Sequence, residues 1–289
     1  MTLAQGRDVS DYQPVQRPDQ WGSFGFAKVS EGLSWTAKTF PGNWASMSKA
    51  GVPRGAYHFL HPAQDPVAQA RRFVALVRAQ GLQRGDMLVV DSELMAGIAR
   101  SSRRSHTGIS LERSRAMFGS SPSPSAAALV DLATKAFLDE CARLINPRWH
   151  PLITYTMHAV GQYLHQTAAA HPLLWFAWPS QTATWPSAAL IAPFKHARFW
   201  QYGIVQNIDR DKFSGTAAGL RNWISEYEKS GPFRHVADGT QTLSQIAAGR
   251  HTDAEHLLTV SAGAYTPGDI ADATALRLPK GLPYYTSHP

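Results

Sequence analysis

The chain has a single cysteine, Cys141, so no internal disulfide can form and the fold rests on non-covalent contacts. Cys141 lies in an Ala- and Leu-rich helical stretch with no activating neighbour, which reads as a small core residue rather than a nucleophile. No apolar run approaches the roughly 20 residues needed to cross a bilayer, so membrane insertion is not expected. The opening Met1-Thr2-Leu3-Ala4-Gln5-Gly6-Arg7-Asp8 lacks the basic and apolar regions of a signal peptide. Acids are the scarcer charge: 21 Asp and Glu face 28 Lys and Arg, for a net +7. That excess favours a polyanionic partner. Zinc-finger spacing, RNA-recognition signatures and basic helices are all missing, so nucleic acid is not expected. His58 and His61 have His-x-x-His spacing but no matching third ligand, which favours a structural role over a metal site. Gly22-Ser23-Phe24-Gly25-Phe26 precedes a strand where a phosphate loop must follow one. Ser92 has no Gly-x-Ser-x-Gly elbow. No cofactor is implied.

Short apolar segments alternate with helical ones from residue 5 to about 230. Strands are expected at Gly6–Ser10, Phe24–Ser30, Gly55–Leu60, Met87–Glu93, Leu152–Met157, Leu173–Trp178, Arg198–Tyr202 and Asn207–Asp209. Helices are expected at Trp44–Ala50, Pro66–Gln80, Ser125–Ile145, Ala159–Ala170 and Ala217–Lys229. For the second of these, Asp65 and Pro66 form a start signal and Gly81 a stop. The alternation argues for an α/β fold with parallel strands, and about eight strands favour an irregular (β/α) TIM-like barrel. Residues 1–230 form the barrel, 231–239 a linker, and 240–289 a small C-terminal α+β module with helices near 242–248 and 253–260 and a strand and turn near 276–284. An insertion from Ala99 to Ser125 holds Arg100, Arg103, Arg104, Arg113 and Arg115 against the single acid Glu112. It reads as a solvated loop, or as a basic clamp on an anionic polymer.

The most informative stretch is Met87-Leu88-Val89-Val90-Asp91-Ser92-Glu93. Side chains two apart on a strand share a face, with Cα atoms about 6–7 Å apart. Two carboxylates on one buried face resist ionising together, so one of them is expected to hold its proton unusually tightly. A glycosidase needs that combination, a proton donor beside a charge stabiliser. At other strand ends stand Asp8, Lys28, Glu31, Tyr57, His58, Tyr155, Gln201, Tyr202 and Asp209, joined by Trp175, Trp178 and Trp200. Acids mixed with aromatic rings suit a carbohydrate. Taken singly, Asp8 could be a cap, and Asp209 and Asp211 could be surface turn residues.

In order along the chain, Arg7-Asp8-Val9-Ser10-Asp11-Tyr12-Gln13, Phe26-Ala27-Lys28-Val29-Ser30-Glu31-Gly32, Gly55-Ala56-Tyr57-His58-Phe59, Asp91-Ser92-Glu93, Leu174-Trp175-Phe176-Ala177, Phe199-Trp200-Gln201-Tyr202 and Ile208-Asp209-Arg210-Asp211-Lys212-Phe213 resemble segments of the glycoside hydrolase family 25 lysozymes. The resemblance covers about residues 5–230 and implies an irregular β/α barrel. It implies a muramidase that hydrolyses the β-1,4 bond between N-acetylmuramic acid and N-acetylglucosamine in bacterial peptidoglycan. By this resemblance Glu93 is the general acid/base and Asp91 stabilises the transition state or positions the substrate acetamide. Asp8 and Asp209 complete the catalytic pocket, and Tyr57, Lys28, Tyr155, Trp175, Gln201 and Tyr202 contact substrate. Arg7 and Trp178-Pro179 depart from the pattern.

The C-terminal piece resembles a divergent LysM module through Thr242-Leu243-Ser244-Gln245-Ile246-Ala247, Leu257-Leu258 and Leu278-Pro279-Lys280-Gly281. The whole then resembles a monomeric phage endolysin, held in the host cytoplasm and acting on the anionic cell wall. The competing readings are another barrel glycosidase, such as a chitinase, and a non-catalytic peptidoglycan-binding protein.

Overall fold

A computed structural model describes residues 2–93, 124–179, 184–230, 233–236 and 283–286, with the single positions 240, 242 and 245. The arginine-rich insertion lies outside the described residues up to position 123, and so do nearly all of the helices expected at 242–248 and 253–260. The chain divides into two units, Met1–Cys141 with His150–Glu228, and Ala142–Trp149 with Lys229–Pro289.

The first unit opens with β1 (Gln5–Val9), β2 (Gly25–Glu31) and the short β3 (Trp35–Thr36). Helix α1 (Phe40–Ala50), β4 (Arg54–Phe59), α2 (Pro66–Ala79) and β5 (Met87–Asp91) follow. After the insertion come α3 (Pro124–Leu144), β6 (Leu152–Met157), and the short helices α4 (His158–Gly161) and α5 (His165–Ala170). The unit closes with β7 (Leu174–Ala177), α6 (Ala188–Ile191), β8 (Ala197–Val205), β9 (Ile208–Phe213) and α7 (Ala217–Lys229).

The strands run in the order β1-β9-β8-β7-β6-β5-β4-β2-β3, and a β1–β2 pairing closes the ring. The result is an eight-stranded barrel with β3 as an extra strand, as the alternation predicts. Within the ring, β1, β2 and β4 to β8 are parallel to their neighbours, whereas β9 runs antiparallel to both β8 and β1, and the extra strand β3 runs antiparallel to β2. Parallel strands need crossover connections, which α1, α2 and α3 supply on the outside. The strand expected at 207–209 extends to Phe213, because it pairs on both edges. The single helix expected at 159–170 is two short ones, α4 and α5.

Local signals account for the helix ends. Asp65 accepts from the backbone N–H of Val67 and Ala68 at 2.9 and 3.2 Å, capping α2. Gly51 closes α1 in the left-handed region (φ 64°), its N–H reaching the carbonyls of Met47 and Ser48.

Alternate strand residues fill the barrel with rings. Phe26 stacks on Trp175 at 4.2 Å and meets Phe199 edge-on at 5.1 Å; Phe199 in turn packs on Phe213 at 5.3 Å. Gly55 makes room for this layer, since a Cβ there would lie 2.2 Å from the Phe26 ring. Toward the outside, His58 stacks on Phe137 at 5.0 Å; one ring nitrogen pairs with Ser30 Oγ (2.9 Å) and the other with Gln69 Oε1 (3.1 Å). His61 pairs with Glu31 at 3.0 Å. Both histidines are thus engaged in local packing and pairing. Cys141 is buried in α3, and burial pushes its thiol well up.

In the second unit, β10 (Phe233–Val236) pairs antiparallel with β11 (Pro283–Thr286). The sequence reads 231–239 as a linker; residues 233–236 of it form β10.

Candidate active site

Among the described residues, inward-facing polar groups gather at one end of the barrel, where its parallel strands finish. Asp8 comes from β1, Lys28 from β2, Tyr57 from β4, Asp91 from β5, Tyr155 from β6, Trp175 from β7 and Gln201 from β8. Because β9 is antiparallel, its beginning rather than its end reaches this mouth. Asp209 stands directly opposite Asp8, and Asp211 directly opposite Gln201.

Strand β5 stops at Asp91, and the Asp-Ser-Glu segment is then held by its neighbours. The Leu60 N–H donates to the Asp91 carbonyl, and the Ser92 N–H to the Tyr155 carbonyl, each at 2.9 Å. Ser92 Oγ pairs with Thr134 Oγ1 at 2.8 Å, and Thr156 Oγ1 donates to the Ser92 carbonyl at 2.7 Å. Ser92 therefore points outward into the helical layer and is no nucleophile. Its anchoring turns Asp91 and Glu93 to the barrel mouth together.

A hydrogen-bond relay crosses the site. Tyr155 Oη donates to Gln201 Oε1 at 2.9 Å, and Gln201 Nε2 donates to Asp8 Oδ2 at 2.9 Å. Below it, Trp175 Nε1 donates to Asp211 Oδ1 at 2.9 Å. On the far side Lys28 Nζ pairs with Glu31 Oε2 at 2.9 Å, over the rings of Phe59 (4.7 Å) and Trp35 (5.0 Å). Asp91 Oδ1 is buried with no hydrogen-bond partner among the described residues.

Burial dominates the electrostatics. It raises Asp91 well above the usual carboxylate range, with the Glu93 charge adding to it and Lys28 opposing. It pushes Glu93 up to about 7, against Lys28 and the Tyr155 hydroxyl. It pushes Asp209 up to about 8, helped by Asp8 and Glu93. Asp8 and Asp211 are raised as well, each by burial first and then by a neighbouring acid, Asp211 for the one and Asp209 for the other. Tyr57 and Tyr155 are pushed up by burial and by the surrounding acids, so both stay neutral donors. A group near 7 in a ring of acids and phenols can give or take a proton around neutral pH.

The structure brings together Glu93, Asp91, Asp8, Asp209, Tyr57, Lys28, Tyr155 and Gln201. It does not bring Tyr202 to them. Successive residues of β8 face opposite ways, so Trp200 and Tyr202 lie outside the barrel, where Lys212 Nζ sits over their rings at 5.2 and 4.3 Å. Trp175 is at the site but only 2% exposed, with Phe26 on its face and Tyr155 edge-on at 4.5 Å. Its part is the floor and a donor to Asp211 rather than a platform for a sugar ring. Asp8 is no helix cap, and Asp209 and Asp211 are no turn: both lie in β9 and point inward. Sequence reasoning missed Asp211. The signal was the alternation of Asp209, Asp211 and Phe213 with Arg210 and Lys212.

Known proteins resemble this chain over the same residues. The profile of Glycosyl hydrolases family 25 matches residues 7–211. Lysozyme M1 of Streptomyces globisporus is 27% identical over 240 residues, covering 75% of this chain and 69% of its own. Among solved structures, a bacterial lysozyme from Streptomyces coelicolor superposes with a TM-score of 0.55 at 24% identity, covering 79% of this chain and 98% of its own. A muramidase from Acremonium alcalophilum does so with a TM-score of 0.57 at 20% identity, covering 78% and 100%.

Proposed function

The chain belongs to glycosyl hydrolases family 25 and is a glycoside hydrolase, and from that premise we propose that it cleaves the β-1,4 bond between N-acetylmuramic acid and N-acetylglucosamine in peptidoglycan. One observation carries the reading. Glu93, pushed up to about 7, shares the acidic barrel mouth with Asp91, whose Oδ1 is left without a partner among the described residues. In this reading Glu93 protonates the glycosidic oxygen. The free Asp91 oxygen faces the positive charge that grows as the bond breaks, or holds the acetamide that traps it. Asp8, Asp209, Tyr57, Tyr155 and Gln201 shape and polarise the hollow. Lys28, paired with Glu31, keeps Asp91 and Glu93 from rising further.

The finer parts of the reading rest on sequence alone. They are a monomeric endolysin of phage type that acts from the host cytoplasm, and a LysM-like module in 240–289 that binds the wall. The net charge of +7 supports attraction to an anionic wall.

Digestion of purified peptidoglycan tests the proposal through the new reducing ends. Muramic acid at those ends, identified by mass spectrometry, is the expected result. Glucosamine there, or free amines without reducing ends, overturns it.

A pH dependence follows from the same group. The acid must carry its proton at the start of the cycle, so turnover is expected to fall as pH rises through about 7, the value to which Glu93 is pushed. Initial rates on solubilised glycan between pH 4 and pH 9, on the order of one reading per half unit, check this. A rate unchanged from pH 6 to pH 9 removes Glu93 from the role, since a group near 7 has lost its proton there.

A further inference from the structure

Of the carboxyl groups at the barrel mouth, Asp211 is the one that the proposed chemistry does not use. It is also the most enclosed, with no measurable exposure. A buried carboxylate has two oxygens to satisfy. Oδ1 accepts from Trp175 Nε1 at 2.9 Å, whereas Oδ2 is buried with no hydrogen-bond partner among the described residues. Leaving a buried oxygen bare is costly.

The neighbour that can satisfy it is Asp8. Asp8 and Asp211 sit on adjacent strands and both point inward, and their carboxyl groups lie within hydrogen-bonding reach of each other. Gln201, directly across from Asp211 on β8, fills the other side of Asp8 through its Nε2 at 2.9 Å on Oδ2. Two carboxylates this close and this buried, at 5% and 0% exposure, cannot both stay ionised. One proton between them gives the bare oxygen its donor and removes the repulsion at once. The amide of Gln201 does not do this: its Oε1 accepts from Tyr155, its Nε2 donates to Asp8, and Asp211 Oδ2 receives no hydrogen bond from it.

We propose that Asp211 and Asp8 share one proton, and that Asp211 is a positioning residue that keeps Asp8 a neutral acid in the working enzyme. The charge of the pair then rests deep, on Asp211 beneath Trp175, and not at the mouth beside Asp209 and Glu93. The groups that face the pair from the surrounding strands are Asp209 on β9, Asp91 and Glu93 at the end of β5, Tyr57 on β4, Tyr155 on β6 and Lys28 on β2, with Arg210 behind the sheet. All except the two cations would be repelled by, or raised further by, an anion at Asp8. The inference rests on the proposed function only in assigning a consequence to turnover; the proton itself is read without substrate.

Carboxyl-carbon NMR of the full chain labelled at aspartate tests it, with the Asp8 signal assigned by its loss in Asp8→Asn. In the wild type that signal is expected to stay at the protonated position when surface aspartates have ionised, and to titrate together with that of Asp211. In Asp211→Asn the amide still accepts from Trp175 and can donate to Asp8. Asp8 then ionises at a pH lower by at least about one unit, a tenfold shift in its proton affinity. The pH profile of turnover is expected to move in the alkaline direction in that variant, because an anion at Asp8 raises Glu93; a merely structural defect would lower the rate without moving the profile. An Asp8 signal that ionises at the same pH in both proteins overturns the proposal. Should Asp211→Asn fail to fold, the wild-type titration decides alone: independent ionisation of Asp8 and Asp211 in the ordinary aspartate range overturns the proposal. Loss of all activity with a normal shared titration instead points to a fault in the proposed function.

Discussion

Glu93→Gln is expected to lower turnover on peptidoglycan by about a thousandfold, the middle of the range for losing a general acid. Gln has the shape of Glu and can keep the Tyr155 contact, but it has no proton to give. The loss is expected to fall on kcat, with the concentration dependence little changed. Stability should move the other way. Glu93 is pushed up to about 7 in the folded chain, above its ordinary value. The stability it contributes is therefore fully present below the ordinary glutamate range and is lost as pH rises through about 7. Gln loses nothing over that interval. Thermal melts of the two proteins should therefore lie closest near pH 4, roughly the ordinary glutamate value, and separate above the raised one, with the variant the more stable. A variant that keeps more than about a tenth of the wild-type rate would show that Glu93 is not the proton donor, and one that melts lower at alkaline pH would show that its proton affinity is not raised by folding.

The second large effect lies away from the mouth. Arg54, at the start of β4, is 6% exposed and grips Asp86 with two parallel hydrogen bonds, Nε to Oδ1 at 2.8 Å and Nη2 to Oδ2 at 3.0 Å. Its guanidinium also lies 4.0 Å over the Trp44 ring and donates to the Gly81 carbonyl at 3.0 Å. The arginine thus ties β4 to α1 and to the end of α2. Even so paired, Asp86 is raised above its usual value by burial. Arg54→Met keeps much of the apolar stem but leaves that carboxylate buried with the Gln83 N–H at 2.7 Å as its remaining hydrogen bond among the described residues. The expected loss is about 3–5 kcal/mol, read by denaturant unfolding at neutral pH. The deficit should shrink as pH falls, because an unpaired Asp86 can take up a proton. The double variant Arg54→Met, Asp86→Leu should recover most of it, since removing both charges removes the desolvation problem. A double variant no better than the single one would place the effect in lost packing on Trp44 instead.

Most of the barrel was legible in the residues themselves. The apolar strands expected at 24–30, 55–60, 87–93, 152–157 and 173–178 are short, β-rich and bounded by turn residues, so their placement needed no partner, although the structure ends two of them earlier, at Asp91 and Ala177. Asp65-Pro66 and Gly81 marked α2 for the same local reason, the needs of unpaired backbone groups at a helix end. The acids at 91 and 93 were legible because a charge at the end of a buried run is conspicuous. Tyr202 was misplaced because a strand signal says that neighbours alternate without saying which parity faces inward. The sequence places Trp175 among the substrate contacts because it cannot show that Phe26 already covers the ring's face. The helix expected over 159–170 breaks in two, since nothing in its composition reveals the turn at 162–164.

The sequence by itself determined the alternation of strands and helices, the single buried thiol, the excess of positive charge and the pairing of Asp91 with Glu93, all of which depend on near neighbours in the chain. Only the tertiary structure decided that the last strand enters the ring reversed. That reversal carries Asp209 and Asp211 to the mouth that seven parallel strands leave open, about two hundred residues from Asp8. Whether an aspartate lies in a solvated turn or shares a proton inside a barrel depends on what surrounds it. Ring closure supplies those surroundings by pairing backbone groups far apart in the chain, which no local pattern encodes.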